Sequence, residues 1–375
     1  MLTKEKVAQE LEFVYQKIIE NLTPFEILVP AAVSKNYCYP AVENADWTDG
    51  FWIGMLHLAQ GYRPDKRIQQ VITKQLEVFQ QRLDEEIVLN HHDIGFLYSL
   101  AAVADYRENN TASSRKMALQ AADVLMRRYN ETAKIFQAWG ELSDKEQQGR
   151  MIIDCNMNLP LLYFASNETG DPRYREAAKN HVKLAQKYLI REDYSTFHTY
   201  YMDIETGNPR FGATAQGYAD DSCWARGQAW GIYGFPISFT HTGDATLLES
   251  SCYLADYYLA HLPEDKVAYW DLFFMDGEEE RDTSASAITV CGLLELAKNL
   301  PLTDSRRQKY EEAAQEIMVN LMNYTTKNYP ESNGLLVQGV YSKPGGTGVN
   351  ECTIWGDYFY FEALTRLYRS WATYW

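Results

Sequence analysis

The chain reads as an all-α protein, an (α/α)6 barrel in a single domain spanning residues 1–375, and three observations carry that reading. Segments with charges at i,i+3/i+4 spacing alternate with segments that are apolar almost all round. Six of each kind occur in alternation. No Pro/Gly/Ser-rich linker or block of charge interrupts the series. The amphipathic set begins at Thr3 (TKEKVAQEL), Arg63 (RPDKRIQQV), Thr111 (TASSRKMAL), Asp171 (DPRYREAAK), Asp244 (DATLLESSC) and Asp304 (DSRRQKYEEAA). Most of these open with Asp, Ser or Thr where an N-cap is wanted, and Pro172 sits in a first turn. The apolar set comprises DGFWIGMLHLA from Asp49, DIGFLYSLAAVA from Asp93, NMNLPLLYFA from Asn156, RGQAWGIYGF from Arg226, SASAITVCGLLEL from Ser284 and GDYFYFEAL from Gly356. A helix apolar on every face belongs in an interior. Six inner helices wrapped by six outer ones close into a toroid, and the loops feeding the inner helices gather at one mouth. Strand-like alternation is confined to short pieces, 197–202 and 335–341.

Composition narrows the function classes. At 375 residues, with 46% hydrophobic and 23% charged positions, the chain is an ordinary globular protein. Its 27 Tyr, 15 Phe and 9 Trp are not ordinary; they suit either a very large core or a pocket for flat faces such as sugar rings. A formal net charge of −16 argues against nucleic acid and anionic membranes as partners, although a few Arg or Lys can reverse the field inside one pocket. The N-terminal MLTKEKVAQELEF is charged and amphipathic, without the apolar stretch of a signal peptide. Six scattered cysteines without a C-x-x-C suggest free thiols in a reducing cytoplasm, and no metal-binding framework is visible.

Five of the six inner helices carry a polar group at or near their start: Asp49, Asp93, Asp154, Arg226 and Asp357. For Asp49 and Asp357 the expectation is an N-cap, worth about 1 kcal/mol. Asp93 has adjacent imidazoles in HHDIG, and Asp154 an apolar surround in IIDCNMN. A carboxyl in such a setting tends to hold its proton, which suits a general acid. Trp47, Trp52, Trp139, Trp224 and Trp230 lie beside glycines or at helix starts, where they serve either core packing or sugar stacking. Arg226 could clamp a carboxylate in two-pronged fashion or pair with Asp220 or Asp221. His198 stands alone on a strand-like segment, the usual place of a structural histidine. From the residues alone this is a helical toroid with carboxylates, aromatics and a cation at its mouth, which suits a carbohydrate-active enzyme.

The runs NADWTDGFWIG, HHDIGFLYSL, IFQAWG, IIDCNMNLPLL, WARGQAWGIYGF, RDTSASAIT and ECTIWGDYFYFEAL resemble those of the unsaturated glucuronyl hydrolases, glycoside hydrolase family 88, in order from about residue 44 to 366. The resemblance implies the barrel, no metal or cofactor, and cytoplasmic breakdown of lyase-generated glycosaminoglycan disaccharides bearing a 4,5-unsaturated uronic acid. The reaction it implies is hydration of the C4=C5 vinyl ether, giving an unstable hemiketal that expels the neighbouring sugar. By position, Asp154 matches the general acid/base and Asp93 the second essential carboxylate. His198 and Gln216 match substrate-pocket residues, Arg226 the group near the uronate carboxylate, and Trp139 and Trp230 the stacking walls; Trp47, His92, Ser342 and Lys343 are further candidate substrate-binding residues. In relatives that prefer sulfated substrates the loop before WGDY carries Ser-x-x-Ser-x-Lys. Here it reads Ser342-Lys343-Pro344-Gly345-Gly346-Thr347, keeping the first Ser and leaving Lys343 as the only cation. The alternatives are an unsaturated rhamnogalacturonyl hydrolase (family 105), an inverting glycosidase, or a sugar-binding toroid without chemistry. Monomer and homodimer are both compatible with the sequence.

Overall fold

The structure, a computed structural model, describes residues 2–375. Its outer helices are α1 (Lys4–Asn21), α3 (Lys66–Asp84), α6 (Ala112–Met126), α8 (Pro172–Tyr188), α10 (Ala245–Ala260) and α12 (Ser305–Leu321). Each buries one stripe: in α1 it is Val7, Leu11, Val14, Tyr15 and Ile18, the spacing of a single helix face. Thr3, Asp65, Asp171, Asp244 and Asp304 accept the N–H of a first-turn residue, so five of the six outer helices start at a side-chain cap.

The inner helices are α2 (Gly50–Tyr62), α4 (Ile94–Tyr98) continued through a π-helical turn (Ser99–Val103) into α5 (Ala104–Asn109), α7 (Pro160–Thr169), α9 (Ala225–Thr242), α11 (Thr283–Asn299) and α13 (Ile354–Tyr368). They are buried on nearly every face, as their all-round apolar sequences require. Each packs on the next, α13 returns to α2, and α1 packs on α13. The ring therefore closes around one hydrophobic core, and this is the (α/α)6 barrel the alternation predicts.

Short strands decorate the mouth. Val29–Pro30 (β1) pairs with Ala41–Val42 (β2), and Tyr129–Asn130 (β3) with Ile135–Phe136 (β4). Arg150–Ile152 (β5), Thr199–Met202 (β6) and Pro209–Ala213 (β7) form an antiparallel three-stranded sheet, and Gly339–Ser342 (β8) pairs with Thr347–Glu351 (β9).

Two expected caps are not caps. Asp49 makes no cap bond; its Oδ2 accepts from Asp46 N at 2.6 Å and from Arg82 Nη1 at 3.1 Å, a buried ion pair tying α2 to α3. Asp357 lies one turn inside α13 and accepts from Tyr39 Oη and from the N–H groups of Leu335 and Leu336 at 2.9–3.0 Å. It fastens the chain just ahead of β8. Each satisfies buried donors that would otherwise cost more than a missing cap.

Candidate active site

The mouth of the barrel holds a cavity of about 440 Å³, lined by Ala45, Asp46, Trp47, Val88, His91, Asp93, Trp139, Ile152, Asp154, Ala215, Gln216 and Tyr341. These come from the loops that feed α2, α4, α7, α9 and α13, as the toroid requires.

Asp93 and Asp154 meet there because two elements approach unusually closely. A methyl group added at Gly95 would fall 2.4 Å from Asn158 Cα, so only glycine lets α4 pack onto the turn Ile153–Met157 and its following residue. Asn158 completes the join. Its Oδ1 accepts from Phe96 N at 2.8 Å, while its Nδ2 donates to Asp93 Oδ1 at 3.3 Å. Asp154 follows β5 directly; β5 pairs with β6, and Ile153 N donates to His198 O at 3.2 Å. The carboxylate thus sits in the turn Ile153–Met157 just beyond a sheet strand, held by main chain.

His92 lies behind the two aspartates, fully buried, with Nε2 3.3 Å from Asp93 Oδ1 and 3.6 Å from Asp154 Oδ1. Reacting atoms of the three residues fall within 4.8 Å of one another. Their protonation states diverge. Burial pushes the Asp154 carboxyl up to about 7, with Asp93 adding to the rise against the opposing pull of His92. Burial also acts on Asp93, but the charge of His92, with the His91 ring close by, outweighs it and holds this carboxyl below the usual range. For His92, burial favours the neutral form and is overridden by the Asp93 charge, which keeps the ring protonated. The cluster thus holds a proton on Asp154 and a charge on Asp93. Among the described residues Asp154 Oδ1 has no hydrogen-bond partner.

Of the other expected residues, Trp47, Trp139 and Gln216 line the cavity. Trp47 donates from its indole to Tyr341 Oη at 3.1 Å, and Gln216 donates to Tyr341 O at 2.9 Å. Trp139 is backed by the Arg150 guanidinium 4.5 Å from its ring centre. His198 is buried behind the wall, its Nδ1 accepting the N–H groups of Ala215 and Gln216 at 3.0 and 3.2 Å. It fixes the loop that presents Gln216, and burial, reinforced by Arg226, holds its pKa down to about 3.

Four expectations differ from what the fold does. Trp230 is not a wall of the pocket; it is buried 5.3 Å from Phe96 and 5.4 Å from Phe359, centre to centre. Arg226 is buried and paired with neither Asp220 nor Asp221. It donates to Asp282 Oδ2 at 2.7 Å, to Val340 O, and to Tyr341 O at 2.7 Å, so it clasps β8 to α11. The imidazole that lines the cavity is His91, not His92. Ser342 and Lys343 are not in the lining: Ser342 Oγ accepts from Gly345 N inside the hairpin turn, and Lys343 pairs with Glu280. Sequence reasoning missed Tyr341, Asp46 and Asn158. The second asparagine of IIDCNMN, a polar group in an apolar run, was the available signal for Asn158.

One carboxyl keeps its proton near neutrality and one stays ionised, and both line a cavity that Trp47 and Trp139 share, an arrangement that suits acid-catalysed sugar chemistry. Set at the mouth of a closed helical ring, they define the protein as a glycosidase of the (α/α)6 kind. Comparison with known proteins narrows the class. The model of Glycosyl Hydrolase Family 88 matches residues 30–369, and the chain belongs to that family. It is 42% identical to the unsaturated chondroitin disaccharide hydrolase of Streptococcus pneumoniae, over all of this chain and 95% of that protein. It is 45% identical to the unsaturated glucuronyl hydrolase of Bacillus sp. strain GL1, over 95% of each. The crystal structure of the unsaturated glucuronyl hydrolase of Streptococcus agalactiae superposes with a TM-score of 0.97 at 43% identity, covering all of this chain and 95% of that one.

Proposed function

We propose that this enzyme removes the 4,5-unsaturated uronic acid from the non-reducing end of lyase-generated glycosaminoglycan disaccharides by hydrating the C4=C5 vinyl ether. The observation that carries the mechanism is the divergence of the two carboxyls. Asp154, which holds a proton near pH 7, delivers it to C4. Positive charge then develops at C5 and the ring oxygen, and the Asp154 carboxylate takes a proton from the water that adds to C5. The resulting hemiketal opens to a C5 ketone. This leaves C1 as a hemiacetal, which expels the neighbouring sugar without further catalysis. Asp93, kept ionised by His92, accepts hydrogen bonds from the ring hydroxyls; Trp47 and Trp139 flank the ring, and Gln216 and His91 complete its polar contacts. We place this activity in the reducing cytoplasm, a setting that suits six unpaired cysteines, five of them buried. Among the described residues no helix is long and apolar enough to cross a membrane.

The test is loss of the conjugated double bond's ultraviolet absorbance across unsaturated disaccharides from unsulfated chondroitin, 6-sulfated chondroitin, heparin-type chains and pectin. Turnover of the pectin fragments alone would overturn the glycosaminoglycan reading. Lys343 is neutralised by Glu280, and the rest of its loop offers no cation. kcat/KM on the unsulfated chondroitin disaccharide is therefore expected to equal or exceed that on the 6-sulfated one, and a strong preference for the sulfated substrate would contradict it.

The pH profile follows from the same two groups. A raised carboxyl keeps its proton up to its pKa, so kcat/KM should hold level below about 7 and fall above it, by about tenfold per unit once Asp154 is ionised. Asp93 imposes no limit until well into the acid range, because its carboxyl sits below the usual value. A profile that rises through pH 7 would show that Asp154 does not deliver the proton.

A further inference from the structure

Two loops beside the mouth expose an aromatic ledge that the disaccharide reaction does not use. Tyr218 and Phe273 lie ring on ring, 5.3 Å between centres and 20° between planes, and are 55% and 64% exposed. Phe274 and the buried Trp270 support them from beneath, with Phe274 meeting Tyr218 edge-on at 5.1 Å. Exposed aromatic rings gathered in one place mark a binding surface more often than chance.

The ledge is fixed beside the catalytic cavity at two points. Tyr218 is two residues from Gln216, which lines the cavity, so their Cα atoms are within about 7 Å of each other. The Tyr218 N–H and the Ser222 hydroxyl both donate to Asp271 Oδ2, at 2.9 and 2.7 Å, binding the two loops together. At the far end Glu280 pairs with Lys343, two residues beyond the cavity-lining Tyr341. The fringe is acidic: Asp276, Glu278 and Glu279 follow Phe273, while Lys343 is paired with Glu280 and Arg281 with Asp265.

We propose that this ledge is a second sugar site, which takes an uncharged pyranose ring of an aglycone longer than one residue. Phe273 stacks on Tyr218 and meets Phe274 near a right angle at 5.3 Å, yet stays 64% exposed, which leaves apolar ring surface for the C–H side of a sugar. The acidic fringe disfavours sulfated or uronate rings at that position by like-charge repulsion. The inference rests on the glycosidase reading above and extends it from disaccharides to longer chains.

The experiment compares kcat/KM on an unsaturated disaccharide and on an unsaturated tetrasaccharide whose three aglycone rings are all uncharged, for the wild type and for Phe273→Ala and Tyr218→Ala. The tetrasaccharide should be the better substrate for the wild type. Each substitution should cost it about two- to tenfold, the size of one aromatic contact, while Phe273→Ala leaves the disaccharide rate unchanged. Equal losses on both substrates, or no loss on either, would overturn the proposal. A change of sedimentation in Phe273→Ala without a change in length preference would also overturn it and assign the ledge to self-association. Absence of turnover on every unsaturated substrate by the wild type would instead count against the functional reading.

Discussion

Asp154→Asn is expected to abolish turnover in a protein that folds at least as well as the wild type. The amide has the shape of the acid but no proton to give to C4 and no carboxylate to take one from water. A positioned acid or base contributes about 10²–10⁴-fold, and here one group serves both transfers, so the loss should lie at the upper end of that range or beyond. Stability should move the other way. Burial raises the Asp154 carboxyl to about 7 in the folded protein, whereas in the unfolded chain it titrates in the usual carboxyl range. Between those two values the unfolded state gives up the proton more readily than the folded one, so the group destabilises the fold increasingly as pH rises towards 7. A neutral amide removes that cost, and the unfolding midpoint at pH 7 should be unchanged or raised. Kinetics and thermal unfolding of one purified variant check both halves. Near-wild-type kcat/KM in folded Asp154→Asn would end the proposed mechanism.

The barrel was legible in the sequence because both of its signals are local. An all-round apolar helix and a one-sided helix differ within a dozen residues, and the caps at Thr3, Asp171, Asp244 and Asp304 stand next to the turns they serve. The site was legible where a residue's task is set by its own loop: Asp93, Asp154, Trp47, Trp139 and Gln216 reach the cavity the motifs point to. It failed where the partner is distant in sequence. Arg226 sits close to Asp220 and Asp221, yet the ring brings it Asp282, 56 positions away. Asp49 looks like a cap until the fold sets Arg82, 33 positions on, against it. Trp230 and the choice between His91 and His92 turn on rotation. Trp230 points into the core where one helical step would have placed it elsewhere, and of two adjacent imidazoles only one can face the mouth. Periodicity gives the period of a helix but not its absolute phase against a pocket, so those positions needed coordinates.

Asp93→Asn should lower kcat/KM by about 10²-fold or more, and the reason separates it from Asp154→Asn. Asp93 Oδ1 faces two donors, the Asn158 amide at 3.3 Å and His92 Nε2 at 3.3 Å. The substituted amide therefore keeps its oxygen there and turns its NH₂ to the place of Oδ2, towards the cavity. A ring hydroxyl that would donate to Asp93 then meets a donor. Loss of one hydrogen bond to a charged group accounts for about 1.5–3 kcal/mol, up to about a hundredfold. A second loss follows from charge. Without the carboxylate the largest offset to the burial of the His92 imidazolium is lost, so the ring's hold on its proton weakens, and the negative charge near the cation developing at C5 is gone. Both effects fall on the transition state, so kcat should drop together with kcat/KM, and the His92 ring resonances should titrate at lower pH than in the wild type. The rival role for Asp93, at the start of α4, is that of a helix cap. Its side chain makes no cap hydrogen bond, and a cap would cost about 1 kcal/mol of stability with little change in rate. Unchanged kcat with a lowered unfolding midpoint would reduce Asp93 to that structural part and leave Asp154 without its partner.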